Sequence, residues 1–176
     1  LPLGLIIACT GSKKLQQPAS HGSLIIDCKL WSSLFQQRAA EYDALCLQAF
    51  NLAKLRVEQT IGQQTLRPRA IITDIDETFL DNSPYAVKQA LSGKDYNASS
   101  WRDWTGRGIA DTLTGALDFF NYAAKNGFTI YYITNRDEEE REGTLKNLQR
   151  FNFPFADNDH LIMRQSGSSK ESRRMD

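Results

Sequence analysis

At 176 residues the chain suits one domain with a real hydrophobic core. Its 21 basic and 21 acidic residues balance, so neither a nucleic-acid surface nor a polybasic membrane patch is signalled. With 41% hydrophobic residues, no internal repeats and no long low-complexity tract, global disorder is excluded.

Leu1-Pro2-Leu3-Gly4-Leu5-Ile6-Ile7-Ala8 is apolar but far too short to cross a bilayer. It reads as the tail of a signal-peptide apolar region that has lost its basic start, and the missing initiator Met agrees. Ile6-Ile7-Ala8-Cys9 resembles a bacterial lipobox, which implies a lipid on Cys9. It also implies a place in the cell envelope, at the outer membrane. The alternative is a buried apolar start with an incidental cysteine. Residues 1–9 are thus expected to be a signal remnant, and 10–28 a polar tether rich in Ser, Gly, Gln and Lys. Spacing alone does not say whether Cys28 and Cys46 pair, although Cys46 falls on the apolar face of an expected helix and suits a buried free thiol. No Cys/His spacing suggests zinc; His21 and His160 suit surface or structural roles.

Trp31 to Thr60 reads as one long amphipathic helix, because Trp31, Leu34, Phe35, Tyr42, Leu45, Cys46, Ala49, Leu52, Ala53 and Val57 recur near a 3.6 period. Gly62 suits its end. Arg69 to Ile75, after Pro68, is a nearly continuous apolar run that suits a buried parallel strand. Phe79 to Gly108 reads as loop-rich, punctuated by Pro84, Gly93, Gly106 and Gly108. Thr112 to Asn126 is a second helix and Phe128 to Ile133 a second strand. Arg136 to Phe151 is a third helix, acidic at its start and basic at its end as the macrodipole prefers. His160 to Met163 is a third short strand. This alternation predicts an α/β fold with a doubly wound parallel sheet. Such sheets bind ligands at the carboxyl ends of their strands, where Asp74, Asp76, Thr134 and the segment toward Lys170 fall.

Ile71-Ile72-Thr73-Asp74-Ile75-Asp76-Glu77-Thr78 is the most informative stretch. Side chains at i and i+2 of a strand share a face, so Asp74 and Asp76 aim together while Ile75 faces away. Two carboxylates at a strand tip suit a divalent metal and a phosphate. The plain alternative is an N-capping Asp or an acidic turn.

The longer run Asp74-Ile75-Asp76-Glu77-Thr78-Phe79-Leu80-Asp81-Asn82-Ser83-Pro84-Tyr85 resembles the first motif of the haloacid dehalogenase superfamily, and more narrowly the class C acid phosphatases, the bacterial lipoprotein 5'-nucleotidases. Glu41-Tyr42-Asp43-Ala44-Leu45 through Leu55 is similar to that family's N-terminal helix. Tyr132-Ile133-Thr134-Asn135-Arg136 resembles its second motif, and Lys170 stands where the family keeps a third-motif lysine. The resemblance implies a haloacid-dehalogenase-like Rossmannoid phosphatase domain over 29–176, with an N-terminal helical extension.

It also implies Mg²⁺ on Asp74 and Asp76, with Asp74 as nucleophile and Asp76 as general acid and then base. An acidic optimum follows if Asp76 must start protonated. Thr134 and the Asn135 backbone N–H would hold phosphoryl oxygens, Lys170 would neutralise charge, and Tyr85 would stand near the substrate. Thr134 also suits a helix cap, Trp101 and Trp104 suit core anchors, and Asp81 and Asn82 suit either supporting contacts or a turn. The expected partner is a small phosphomonoester or nucleotide. A non-catalytic nucleotide-binding envelope lipoprotein and a phosphotransferase are the rival readings. The family's fourth, acidic motif does not appear before Asp176, and Asp157-Asn158-Asp159 precedes Lys170 and so is out of order. The chain is therefore expected to be a fragment lacking C-terminal strands, with the first strand left as an open edge and weak Mg²⁺ binding.

Overall fold

The structure, a computed structural model, describes residues 21–175, with side-chain surroundings from residue 26 onward. Cys9, the lipobox and residues 10–20 of the expected tether lie outside the described residues. In chain order the elements are α1 (His21–Arg38), α2 (Ala40–Ile61), β1 (Arg69–Thr73), β2 (Leu80–Asp81), α3 (Ser83–Leu91), α4 (Ala98–Arg107), β3 (Asp111–Thr112), α5 (Ala116–Lys125), β4 (Phe128–Ile133), α6 (Arg141–Arg150), β5 (Leu161–Ile162) and α7 (Glu171–Met175).

The apolar, β-branched runs of β1 and β4 pair in parallel, with Arg69 opposite Phe128 and Thr73 opposite Tyr132. β5 joins the other side of β4, in parallel, with Tyr132 opposite Leu161. The sheet order is β1-β4-β5. Among the described residues β1 is therefore an edge, and its Ile72 is 49% exposed where a strand buried on both faces was expected. Helix α5 packs on β4, and α2 packs on α5. The core is aromatic: the Phe79 ring lies 4.9 Å from Phe153, 5.2 Å from Phe120 and 5.7 Å from Tyr132. Burial pushes the Tyr132 phenol well above its usual pKa, and its hydroxyl donates to the Pro154 carbonyl at 2.6 Å.

Several expectations are corrected. The single helix over 31–60 is broken at Ala39, which is extended at φ −87° and ψ 123°. Ala-Ala is a strong helix-forming pair, so propensity does not explain the break. Packing does: α1 lies against α3, whereas α2 lies against α5. The Ala39 carbonyl accepts the N–H groups of Tyr42 and Asp43, so the new helix start costs little. Helix α1 also begins at His21, so residues 21–28 of the expected tether are helical. Its sequence there, Leu24-Ile25-Ile26, is apolar rather than tether-like.

The stretch from Phe79 to Gly108 holds two helices rather than loop. Pro84 opens α3, the Asn97 side chain caps α4 by accepting the Ser100 N–H at 3.1 Å, and Gly108 closes α4 at φ 61°. Pro84 and Gly108 thus punctuate helices rather than loops, since the same residue types begin or end both. Thr112 is not helical; it pairs with Leu80 across the β2–β3 ribbon, and α5 starts four residues later. The third helix opens with a 3₁₀ turn at Glu138–Glu140, where Asp137 and Glu140 form a reciprocal cap.

Helices α4 and α6 touch through glycine. A Cβ on Gly143 would stand 2.4 Å from the Thr105 carbonyl oxygen and 2.6 Å from Gly106 Cα, both backbone atoms. The same junction is stitched by Thr105 donating to Glu140 at 2.9 Å and by a two-way amide pair between Asn147 and Ala110. Gly143→Ala is expected to cost about 2–3 kcal/mol by overpacking, read as a lowered urea midpoint. An unchanged midpoint would contradict this close approach.

Candidate active site

The parallel register carries the tips of β1 and β4 to the same sheet end. Beyond β1, Ile75 is fully buried in the core while Asp74 and Asp76 keep solvent exposure, so the alternation read from the sequence persists past the strand. A tight turn then folds the chain back. The Ile75 carbonyl accepts N–H groups from Thr78, Phe79 and Leu80, and Glu77 adopts φ 52°. A non-glycine residue at positive φ is uncommon and marks a turn held by its surroundings.

Each aspartate has a cation. Lys170 Nζ makes an ion pair with Asp74 Oδ2, and Asp74 Oδ1 accepts the Ile75 N–H at 2.8 Å. The Asp74 side chain is 43% exposed, so it is open to a ligand. Asp76 is gripped by Arg136: Nη2 donates to Oδ1 at 2.7 Å, and Nε donates to Oδ2 at 3.1 Å. Asn82 Nδ2 donates to the same Asp76 Oδ1 at 2.9 Å, and Asn82 Oδ1 accepts the Trp104 indole N–H at 2.8 Å. Arg136 is buried and donates also to Thr144 Oγ1 at 3.0 Å, with Trp101 beside its guanidinium. Losing Asp76 would strand that guanidinium. The penalty is about 3–5 kcal/mol in fully buried pairs, and smaller here because Asp76 keeps 23% side-chain exposure.

Thr134 is fully buried at the tip of β4, where its Oγ1 accepts the Arg136 N–H at 3.1 Å. It does not cap the following helix; Asp137 does. The Asn135 side chain turns toward the Lys170 segment and donates to the Ser168 carbonyl at 3.1 Å. Tyr85 is buried, and its hydroxyl is engaged by Ser100 at 3.0 Å and by Asn97. Its ring, edge-on to Trp101 at 5.1 Å, lines a cleft of about 500 Å³ shared with Glu77, Asn82, Trp101 and the Lys29 and Ser33 of α1. Cys28, on the same cleft, is exposed and Cys46 is buried; both are free thiols. His160 is tied to Asp157, and Asp157 serves the loop before β5 by accepting the N–H groups of Asp159 and His160.

The profile of the HAD superfamily, subfamily IIIB (Acid phosphatase), matches residues 27–175. The chain belongs to that family. It is similar to the solved class C acid phosphatase of Bacillus anthracis, including a form with tungstate bound, at 36% identity and a TM-score of 0.82. That match covers 86% of this chain and 64% of the other. Acid phosphatase 1 of Solanum lycopersicum is 33% identical over 95 residues, covering 54% of this chain and 36% of the relative. A stem 31 kDa glycoprotein of Glycine max is 29% identical over 82 residues, covering 47% of this chain. The chain thus spans about a third of the length of the curated relatives it matches.

Within this acid phosphatase family fold, the donors available to Mg²⁺ are hard carboxylate oxygens, the type that ion prefers. Asp74 presents an exposed carboxylate, while the oxygens of Asp76 are shared with Arg136 and Asn82. Among the described residues no third Asp, Glu, His or Cys gathers with them. The pair fits Mg²⁺ in chemistry and would supply part of its shell. No described helix is long and apolar enough to cross a membrane.

Three side chains of this site were not singled out as site residues from the sequence. Arg136 is signalled only as the basic residue that follows Thr134-Asn135 at a strand's end. Arg173 sits in a Ser-Arg-Arg run that looks solvated. Glu77 is the third. Burial, and then the neighbouring Asp76 charge, raise its pKa, although the residue as a whole keeps solvent exposure and accepts the Asn82 N–H at 3.1 Å. A raised carboxyl pKa means that the fold favours the protonated form. Its stabilising effect is complete below the unfolded value of about 4.3 and is lost as pH rises through the folded value. Glu77→Gln is therefore expected to raise the melting temperature at neutral pH, with the gain vanishing near pH 4. A gain of equal size at both pH values would contradict this.

Proposed function

We propose that the protein is a Mg²⁺-dependent acid phosphatase that hydrolyses phosphomonoesters, nucleoside monophosphates among them, through an aspartyl-phosphate. The observation that carries this reading is the pairing of Asp74 with Lys170 beside the Asp76–Arg136 pair, at the carboxyl ends of parallel strands. The tungstate of the Bacillus anthracis relative supports it, since tungstate is a tetrahedral oxyanion like phosphate.

In this reading the exposed Asp74 carboxylate attacks phosphorus and displaces the alkoxide. Asp76 gives that alkoxide its proton, then removes a proton from the water that cleaves the acyl-phosphate. Arg136 and Asn82 aim the Asp76 carboxyl through their hydrogen bonds. Lys170 offsets the charge of the incoming phosphate, and Thr134 and the Asn135 backbone N–H take phosphoryl oxygens. Mg²⁺ held by Asp74 and Asp76 would supply further neutralisation of the phosphate charge. The cleft lined by Tyr85 and Trp101 has room for a nucleoside, and its aromatic edges suit a base.

Phosphate release from AMP, with Mg²⁺ and with a chelator, tests this in the complete protein. Release is expected only with Mg²⁺, and Asp74→Asn is expected to lower kcat by about 10³-fold or more. Nucleotide binding without release would favour the non-catalytic binder, and a phosphorylated alcohol product would favour the phosphotransferase. Full activity in Asp74→Asn would remove the nucleophile assignment.

The protein is held at the bacterial cell envelope by a lipid on Cys9, a reading supported by Ile6-Ile7-Ala8-Cys9. Cys9→Ser is expected to move it from the membrane pellet to the soluble fraction. A pellet that keeps the variant would count against the anchor.

A further inference from the structure

We infer that Arg173 is a positioning residue, whose buried guanidinium clips the Lys170 segment to the tip of β4 and so sets where the Lys170 ammonium meets Asp74. The kinetic consequences rest on the phosphatase reading above; the clip itself does not.

Arg173 stands on α7 and is 5% exposed. Its Nη1 donates to the Thr134 carbonyl at 2.5 Å. Its Nη2 donates to Asn135 Oδ1 at 2.7 Å and to the Ser169 carbonyl at 3.1 Å. All three acceptors are neutral, and none of the described ion pairs includes Arg173. A buried guanidinium without a carboxylate is a costly way to fill space. A planar fork that joins three acceptors from two chain segments is a use that only arginine offers.

The connection is specific to the lysine. Asn135 receives Arg173 on its Oδ1 and donates its Nδ2 to the Ser168 carbonyl. Ser168 and Ser169, the two residues before Lys170, are therefore both tied to the Thr134–Asn135 segment after β4, Ser168 directly and Ser169 through Arg173. The Thr134 whose carbonyl Arg173 holds also accepts the Arg136 N–H on its hydroxyl, and Arg136 grips Asp76. One guanidinium thus joins the mounts of both cations that face the acid pair. Displacing a catalytic group by about 1 Å costs on the order of 10²-fold in rate, so a loose Lys170 segment would be felt in kcat.

The test combines kinetics with proteolysis in the complete protein. With AMP and Mg²⁺, Arg173→Ala is expected to lower kcat by about 10²-fold with a smaller change in KM. Arg173→Lys is expected to recover little of this, since a point charge cannot bridge the three acceptors. The Arg173→Ala/Lys170→Ala pair should fall no further than Lys170→Ala alone, because the arginine acts through the lysine. Guanidinium ion at non-denaturing concentration should revive Arg173→Ala and leave Lys170→Ala unchanged. Independently of activity, tryptic cutting after Lys170, followed by mass spectrometry, should speed up in Arg173→Ala. Should that variant fail to fold, Asn135→Ala, which breaks the same clip, is expected to show the faster cutting and the lower kcat. Wild-type kcat, losses that multiply in the pair, or unchanged cutting in a folded variant would each overturn the inference. An inactive wild type would overturn the phosphatase reading alone, since the cutting still decides the clip.

Discussion

The parallel pairing of β1 with β4, in the register that sets Thr73 beside Tyr132, is the constraint from which the site follows. A parallel pair sends both strands the same way, so whatever follows each strand emerges at one end of the sheet. After β1 come Asp74 and Asp76; after β4 come Thr134, Asn135 and Arg136. A slip of one residue would turn each side-chain set to the opposite face. Burial prevents it, because Ile75, Ile130 and Tyr132 fill the core on one register only.

Charge then organises what the sheet end collects. Two carboxylates so near in sequence would repel one another if left bare, and each has been given its own cation from a different part of the chain. Arg136 reaches Asp76 from the loop after β4, buried and hydrogen-bonded on several sides. Lys170 reaches Asp74 from the segment before α7. The two pairs differ in access. The Asp76–Arg136 pair is partly withdrawn and braced by Asn82, whereas Asp74 faces solvent. That asymmetry suits one carboxylate that reacts and one that is aimed.

Around this, α3 and α4 bring the Asn82–Trp104 bond and the Tyr85–Trp101 edge contact to the flank of the site. The seat of α4 is its glycine-mediated contact with α6, which leaves no room for a side chain at Gly143, while α3 rests on α1. One wall of the cleft, α4, and the helix that follows Arg136 are therefore packed directly together. Tyr85 illustrates the consequence: its hydroxyl holds α4 in place, and only its ring is left to meet a ligand.

Local sequence by itself determined the central strands, the alternation that buries Ile75 between two partly exposed acids, and the order of the motifs that mark the family. These depend on apolar runs and on spacing within a few residues, which the chain displays directly. The tertiary structure decided the rest. The break at Ala39 exists because α1 and α2 have different partners, which no pattern inside the helix records. The helices between Phe79 and Gly108 are short and capped by the same Pro, Asn and Gly that loops use, so their nature is settled by packing. Arg136 and Arg173 look like solvent-facing charges in a row of letters; Arg136 becomes a buried anchor only where the ends of β1 and β4 meet, and Arg173 only where α7 meets the end of β4, since a charge's partners come from residues distant in sequence.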